Sequence, residues 1–151
     1  MSVESEGGQP YAKDAKISRR AQKDSLNFDD DFSHEIIGAA VEVQRVLGVG
    51  LLESAYAGVL AIELAERDMS FVREVPILAR YKGRDVGVGY RADFIVESSV
   101  IVEIKAMDAV TDVHRSQLLS YLRLSSLKLG LLINFHAFPV AKGIQRLVNK
   151  L

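Results

Sequence analysis

Asp93, Glu103 and Lys105 are two acids and a base set close together in otherwise apolar stretches of this chain. In the stretch V-I-V-E-I-K-A, Glu103 and Lys105 alternate with Val102 and Ile104. On a strand the two charged residues therefore share one face, about 7 Å apart, and the apolar pair points the other way. Asp93 lies upstream in Y-R-A-D-F-I-V, and a tight turn centred near Ser98 separates the two stretches. Hairpin pairing sets Asp93 beside the Glu103–Lys105 end, since both lie about five residues from that turn. One sheet face then carries two carboxylates and an ammonium in otherwise apolar elements, where charge is costly unless paired or used.

Such a trio suits phosphodiester hydrolysis. Magnesium prefers hard oxygen ligands, keeps several waters and takes one or two carboxylates from a protein. It lowers the pKa of a bound water and neutralises charge on phosphoryl oxygens. Asp93 and Glu103 are thus ligand candidates for Mg2+ or Mn2+, with the Ile104 backbone carbonyl completing the shell. Lys105 is the candidate for positioning the attacking water or stabilising charge. A structural ion pair on an open sheet face produces the same local pattern, and an acid, a gap and Glu-x-Lys arise often by chance. The trio by itself does not decide between the two.

Hydrophobic periodicity outlines the helices and strands around these residues. Ser33 is a plausible N-cap for a helix through Leu47, with Ile36, Ile37, Ala40, Val41 and Val43 at roughly helical spacing. Gly48 suits its C-cap, and a second helix runs from about Leu51 to Arg67. The period then changes. Phe71 to Tyr81 reads as an edge or bulged strand because it carries Pro76. A turn at 82–85 leads to a strand from Val86 to Val96, and Glu97-Ser98-Ser99 turns into a third, Val100 to Lys105. Thr111 or Asp112 caps a helix through about Leu124, and Lys128 to Asn134 reads as a strand buried on both faces. Gly143 to Val148 fits a last strand or a short helix equally. The order, helix, helix, three-strand meander, helix, strand, predicts an α/β domain with a mixed central sheet flanked by helices.

Bulk properties bound the function. The 151 residues fit one domain, expected over 29–151 after a polar tail of 1–28; 48% hydrophobic and 26% charged residues are ordinary globular values. Lys13, Lys16, Arg19, Arg20 and Lys23 would give that tail a basic arm. No apolar run approaches the length of a membrane span, and no secretory signal is visible. Cysteine is absent, which removes disulfides and thiolate metal sites and fits a reducing cytoplasm. His34, His114 and His136 are scattered and form no zinc set. The net charge of −1 and pI near 6.3 differ from the strongly basic balance of many DNA binders, so nucleic acid would be held by a local basic patch, metal or a partner.

Beyond the trio, the chain resembles the GxxExxY family of the PD-(D/E)XK nuclease-like superfamily. The naming motif stands intact as Gly50-Leu51-Leu52-Glu53-Ser54-Ala55-Tyr56. The resemblance continues through I-I-G-A-A-V-E-V, R-A-D-F-I-V, V-I-V-E-I-K-A, S-Q-L-L-S-Y-L and L-G-L-L-I-N-F, in order over about residues 33 to 148. It implies a restriction-endonuclease-like core, a Mg2+-dependent nuclease activity and a nucleic-acid substrate, DNA foremost. It implies Asp93 as metal-binding aspartate, Glu103 as second acid and Lys105 as the lysine of the Glu-x-Lys element. Glu53 matches the family's helix glutamate, a site-lining acid and further metal-ligand candidate; at a helix start a carboxylate also simply suits the dipole. Gln117 and Tyr121, four apart and so on one helix face, match the family's Q-x-x-x-Y pair, which implies Gln117 as a catalytic-site residue and Tyr121 as a substrate contact; an amide pairing with a sheet-edge carbonyl is the alternative for Gln117. Tyr56 is a substrate contact or a core aromatic with a satisfied hydroxyl. Arg91, two before Asp93, would meet a phosphate or pair with Glu103, and His114 lies on roughly the Gln117 side. Gln44 stands where relatives carry a histidine, so no general base is assigned there.

Two other functions fit the same residues. One is a non-catalytic nucleic-acid-binding or partner-regulated module that keeps the fold. The other is an interaction protein whose acids are structural. Superfamily members often dimerise, and a homodimer or a protein partner is compatible with the sequence.

Overall fold

The structure, a computed structural model, describes residues 31–150. The tail expected at 1–28 and its basic arm lie outside the described residues. Helix α1 (Ser33–Leu47) buries Ile36, Ala39, Ala40 and Val43, a stripe at three- and four-residue spacing. Its entry differs from the Ser33 cap expected. Phe32 precedes the helix at φ 71°, and the Asp31 carboxylate accepts from the Ser33 N–H at 3.1 Å and the Ser33 hydroxyl at 2.5 Å. The exit is as read: Gly48 takes φ 73°, a value that favours glycine, and its N–H closes on Gln44 O at 2.7 Å.

Helix α2 (Glu53–Glu66) follows after a five-residue connection, 48–52 counting its caps, and buries Tyr56, Leu60 and Leu64. Strands β1 (Phe71–Tyr81), β2 (Arg84–Val96) and β3 (Val100–Lys105) form the expected meander. The β1–β2 turn is Lys82-Gly83, both at positive φ, the two-residue geometry that matches strand twist. Helix α3 (Asp112–Ser125) then crosses over to β4 (Leu129–Asn134), which runs parallel to β3. A parallel pair requires such a crossover. A short 3-10 turn (Val140–Gly143) leads into β5 (Ile144–Val148), so the ambiguous last segment is a strand, antiparallel to β4.

The five strands lie in chain order, β1 to β5, in one mixed sheet. β1 is an edge, as Pro76 requires, and its register shifts around Leu78. Helices α1 and α2 cover one face with Phe94, Val96, Val102, Ile104, Leu131 and Ile133 beneath them. Helix α3 covers the other with Ile77, Ala92, Ile101 and Leu132. β4 is buried along its whole length, because both faces are roofed. Gly130 keeps α3 close: a Cβ there would sit 3.0 Å from the Leu118 side chain. The loop after β4 is tied to α1 by Gln44. Its amide donates to Phe135 O at 3.1 Å and Ala137 O at 2.6 Å, and its oxygen accepts the Val140 N–H at 2.7 Å.

Candidate active site

The β2–β3 ladder holds Phe94↔Val102, Ile95↔Ile101 and Val96↔Val100, then stops at the next pair, Asp93 and Glu103. From there side chains replace the ladder. Glu103 Oε2 accepts the Asp93 backbone N–H at 3.0 Å, and Asp93 Oδ2 accepts the Ile104 N–H at 2.8 Å. The juxtaposition expected from the hairpin is present, and it is built from backbone donors that would otherwise be orphaned.

The faces differ from that expectation. Ala92 packs on the α3 side while Phe94, two residues on, packs under α1 and α2. Strict alternation would put both on one side. The break falls at Asp93, opposite Glu74, which takes φ 52° and drops out of the β1–β2 pairing. Asp93 therefore opens into a cleft of about 160 Å³ on the α2 side, lined by Glu53, Arg73, Glu74 and Ile104. Glu103 is 2% exposed and on the α3 side with Ile101, so the acids meet through the gap between splayed strands.

The electrostatics follow from this burial. Desolvation pushes the Asp93 carboxyl up, the Ile104 N–H opposes it, and the Glu53 and Glu74 charges add to it. Burial and then the Asp93 charge push Glu103 up to about 7. Lys105, half-buried at the end of β3, pulls both acids back down. All three residues of the trio thus feel one another, and Glu53 joins them through Asp93.

Tyr90 is a partner that sequence reasoning missed. Its hydroxyl donates to Glu103 Oε1, and its ring stacks on Tyr121 of α3, centroids 3.6 Å apart and planes within 6°. Burial and the Glu103 charge push its phenol up, so the hydroxyl stays a donor. The Arg91–Glu103 pairing expected as one alternative is not formed, and Tyr90 takes that place. Tyr90 and Ala92 face α3, so Arg91 between them points away and is exposed. Arg73, whose guanidinium lies 5.3 Å from the Phe94 ring centroid, and Glu74 were also missed. Their place in the cleft depends on the irregular β1–β2 register, which has no signature in one sequence.

The other site candidates divide. Glu53 is exposed at the first residue of α2 and reaches the cleft. Tyr56 is wholly buried, stacked on Phe135 at 4.6 Å; its hydroxyl donates to Gly48 O at 2.6 Å and accepts the Leu51 N–H at 3.3 Å. It offers no surface to a substrate and instead fixes the loop that delivers Glu53. Tyr121 is half-buried against Tyr90, and Gln117 is exposed one turn earlier on α3. His114 is used locally: its Nδ1 accepts the Thr111 N–H at 3.0 Å and caps α3.

Among the described residues no three His, Asp or Glu side chains gather into a ready metal cluster. The donor chemistry of the cleft nevertheless fits a hard divalent cation, which needs one or two carboxylates and keeps its waters. Asp93 spends one oxygen on Ile104, and a carboxylate has about four lone-pair sites. No described helix is long and apolar enough to cross a membrane. Neither curated proteins nor solved structures gave a match to this chain. A family model does, that of the PD-(D/E)XK nuclease superfamily over residues 30–147, and the chain belongs to that superfamily, its mixed sheet between helices being the restriction-endonuclease-like core.

Proposed function

We propose that the chain is a metal-dependent nuclease that hydrolyses phosphodiester bonds of nucleic acid, DNA foremost, within the GxxExxY group of its superfamily. The observation that carries this reading is the cross-held pair Asp93 and Glu103 at the splayed ends of β2 and β3, beside an acid-lined cleft and under the field of Lys105. Asp93, the Ile104 backbone carbonyl, Glu103 and Glu53 would hold Mg2+ or Mn2+. The ion, when bound, supplies a water of lowered pKa and neutralises phosphoryl charge. Lys105 opposes the rise of both acids and orients the nucleophile or meets the developing charge. Gln117, exposed on α3, and Arg91, exposed on β2, are substrate-facing candidates. A cytoplasmic setting fits the cysteine-free sequence, and a second copy or a protein partner would add binding surface to a chain of net charge −1.

The test is cleavage of single-stranded, double-stranded and branched DNA and of RNA with magnesium or manganese. Wild type should cut at least one class, with Lys105→Ala reduced about 100-fold or more in kcat. Equal background activity for both on every substrate would sink the enzyme reading. A second reading, a non-catalytic nucleic-acid-binding module, is favoured by one observation: both Glu103 oxygens already have protein donors. It predicts salt-sensitive binding without turnover, indifferent to Asp93→Asn.

A further inference from the structure

The Q-x-x-x-Y tyrosine of α3 acquires a role from what it touches. Glu103 is nearly inaccessible, and its two oxygens are held from opposite sides, Oε2 by the Asp93 N–H and Oε1 by the Tyr90 hydroxyl. The Asp93 donor belongs to the backbone and is fixed by the strand. The Tyr90 donor is a side chain on the part of β2 that has left β3, since pairing there ends at Phe94. β1, through Ile77, and the Tyr121 ring constrain it. The Tyr121 ring lies parallel against it, and its hydroxyl also contacts Tyr90.

We propose that Tyr90 and Tyr121 form a positioning clamp for Glu103: Tyr121 fixes the Tyr90 ring by stacking, and the Tyr90 hydroxyl fixes the Glu103 carboxylate in the orientation that the β2–β3 site uses. Neither tyrosine need touch the substrate. Two of the lone-pair sites of Glu103 are taken by the clamp and the Asp93 N–H, which leaves the others for a ligand on a carboxylate that can no longer rotate. Groups that orient a liganding side chain are worth about 10- to 100-fold in affinity or activity. The inference deepens the nuclease reading and rests on it for its consequence in turnover; the clamp itself is read independently of turnover.

The experiment uses the full chain with Tyr90→Phe, Tyr121→Leu and Tyr121→Phe. The carboxyl-carbon NMR signal of Glu103, assigned by its loss in Glu103→Gln, reports the clamp directly. It should shift in Tyr90→Phe and in the same direction in Tyr121→Leu, and less in Tyr121→Phe, which keeps the stack. In magnesium-dependent cleavage, Tyr90→Phe and Tyr121→Leu should lose about 10- to 100-fold in kcat with KM for nucleic acid unchanged. Thermal melting checks that all three variants fold. A Glu103 signal unmoved by Tyr121→Leu, or a Tyr121 effect confined to KM, overturns the clamp, the latter marking a substrate contact. If wild type cleaves nothing, the nuclease reading fails, and the NMR signal alone decides the clamp.

Discussion

Glu103 takes the backbone N–H of Asp93 while standing 2% exposed, so each acid is held in place by the other's strand, and the Asp93 charge adds to the rise of Glu103. This has a consequence for stability. The Glu103 carboxyl, ordinarily at 4.5, is pushed up to about 7 by burial first and Asp93 second. Between those values the folded chain binds the proton that the unfolded chain has released. Stability therefore falls as pH rises through that window, and the loss is complete above it, amounting to at most about 3 kcal/mol. Glu103→Gln removes the titration: its amide oxygen can still accept from Asp93 and its NH2 can donate to the Tyr90 oxygen. The variant should be flatter between pH 5 and pH 7, about the limits just named, and more stable than wild type at alkaline pH. Denaturant unfolding across this range checks it; parallel profiles for the two proteins would contradict it.

Tyr56 links the G-x-x-E-x-x-Y motif to the site without touching it. Its hydroxyl bridges Gly48 O and Leu51 N, spanning the connection that ends at Glu53. Tyr56→Phe keeps the stack on Phe135 and loses only these bonds, so urea denaturation should show a loss of about 1 kcal/mol. If Glu53 serves the site through this loop, magnesium-dependent cleavage should fall further than the small stability change accounts for, and Glu53→Gln should fall at least as far. Activity in Tyr56→Phe equal to wild type would separate the motif tyrosine from the site.

What the sequence allowed one to read follows from which interactions are local. β3 begins and ends at the residues expected, because V-I-V-E-I-K lies between a turn and a polar stretch. Thr111 caps α3 and Pro76 marks the sheet edge, both consequences of backbone chemistry that any neighbourhood shows. The partner of Glu103 was not legible. Arg91 shares the side of Asp93, but Glu103 lies on the α3 side, and the two acids meet only because alternation fails between Ala92 and Phe94, where Glu74, a strand away, leaves the ladder. Tyr90 and Tyr121 meet only after α3 has crossed over the sheet, so neither residue announces the other. The last strand was ambiguous because its fate is set by Gln44 and Gly143, which shape the loop before it through contacts distant in sequence.

Gln44 should be the most sensitive polar residue of the core. It is 6% exposed, and its amide satisfies two carbonyls and one N–H of the loop before β5. Gln44→Ala leaves these groups buried and unpaired, which predicts a loss of about 2–4 kcal/mol. Gln44→Glu is expected to be no better, since a carboxylate cannot donate to Phe135 O and Ala137 O. Denaturant midpoints for the two variants check this. A loss below that of Tyr56→Phe would mean the loop finds other partners.

Two glycines make a matched pair of opposite sign. Gly58 sits in the middle of α2 at ordinary helical φ, and a Cβ built there meets nothing within 4 Å. Gly58→Ala removes backbone freedom from the unfolded chain without strain, so it should stabilise by about 0.5–1 kcal/mol. Gly143 closes the 3-10 turn against the end of β4, where a Cβ would lie 2.5 Å from both Ala137 Cβ and Asn134 O. One of those neighbours is backbone and cannot rotate away, so Gly143→Ala forces the turn off β4 and should destabilise by about 1–3 kcal/mol. Asn134 holds the adjoining loop through Met107, accepting its N–H at 3.2 Å and donating to its carbonyl at 2.9 Å. Because Met107 follows Lys105 by two residues, the strain at Gly143 reaches the end of β3. Gly143→Ala should therefore lower magnesium-dependent cleavage as well as the thermal midpoint, while Gly58→Ala raises the midpoint and leaves cleavage unchanged. A Gly143→Ala variant as stable as wild type would refute the close packing of this turn on β4.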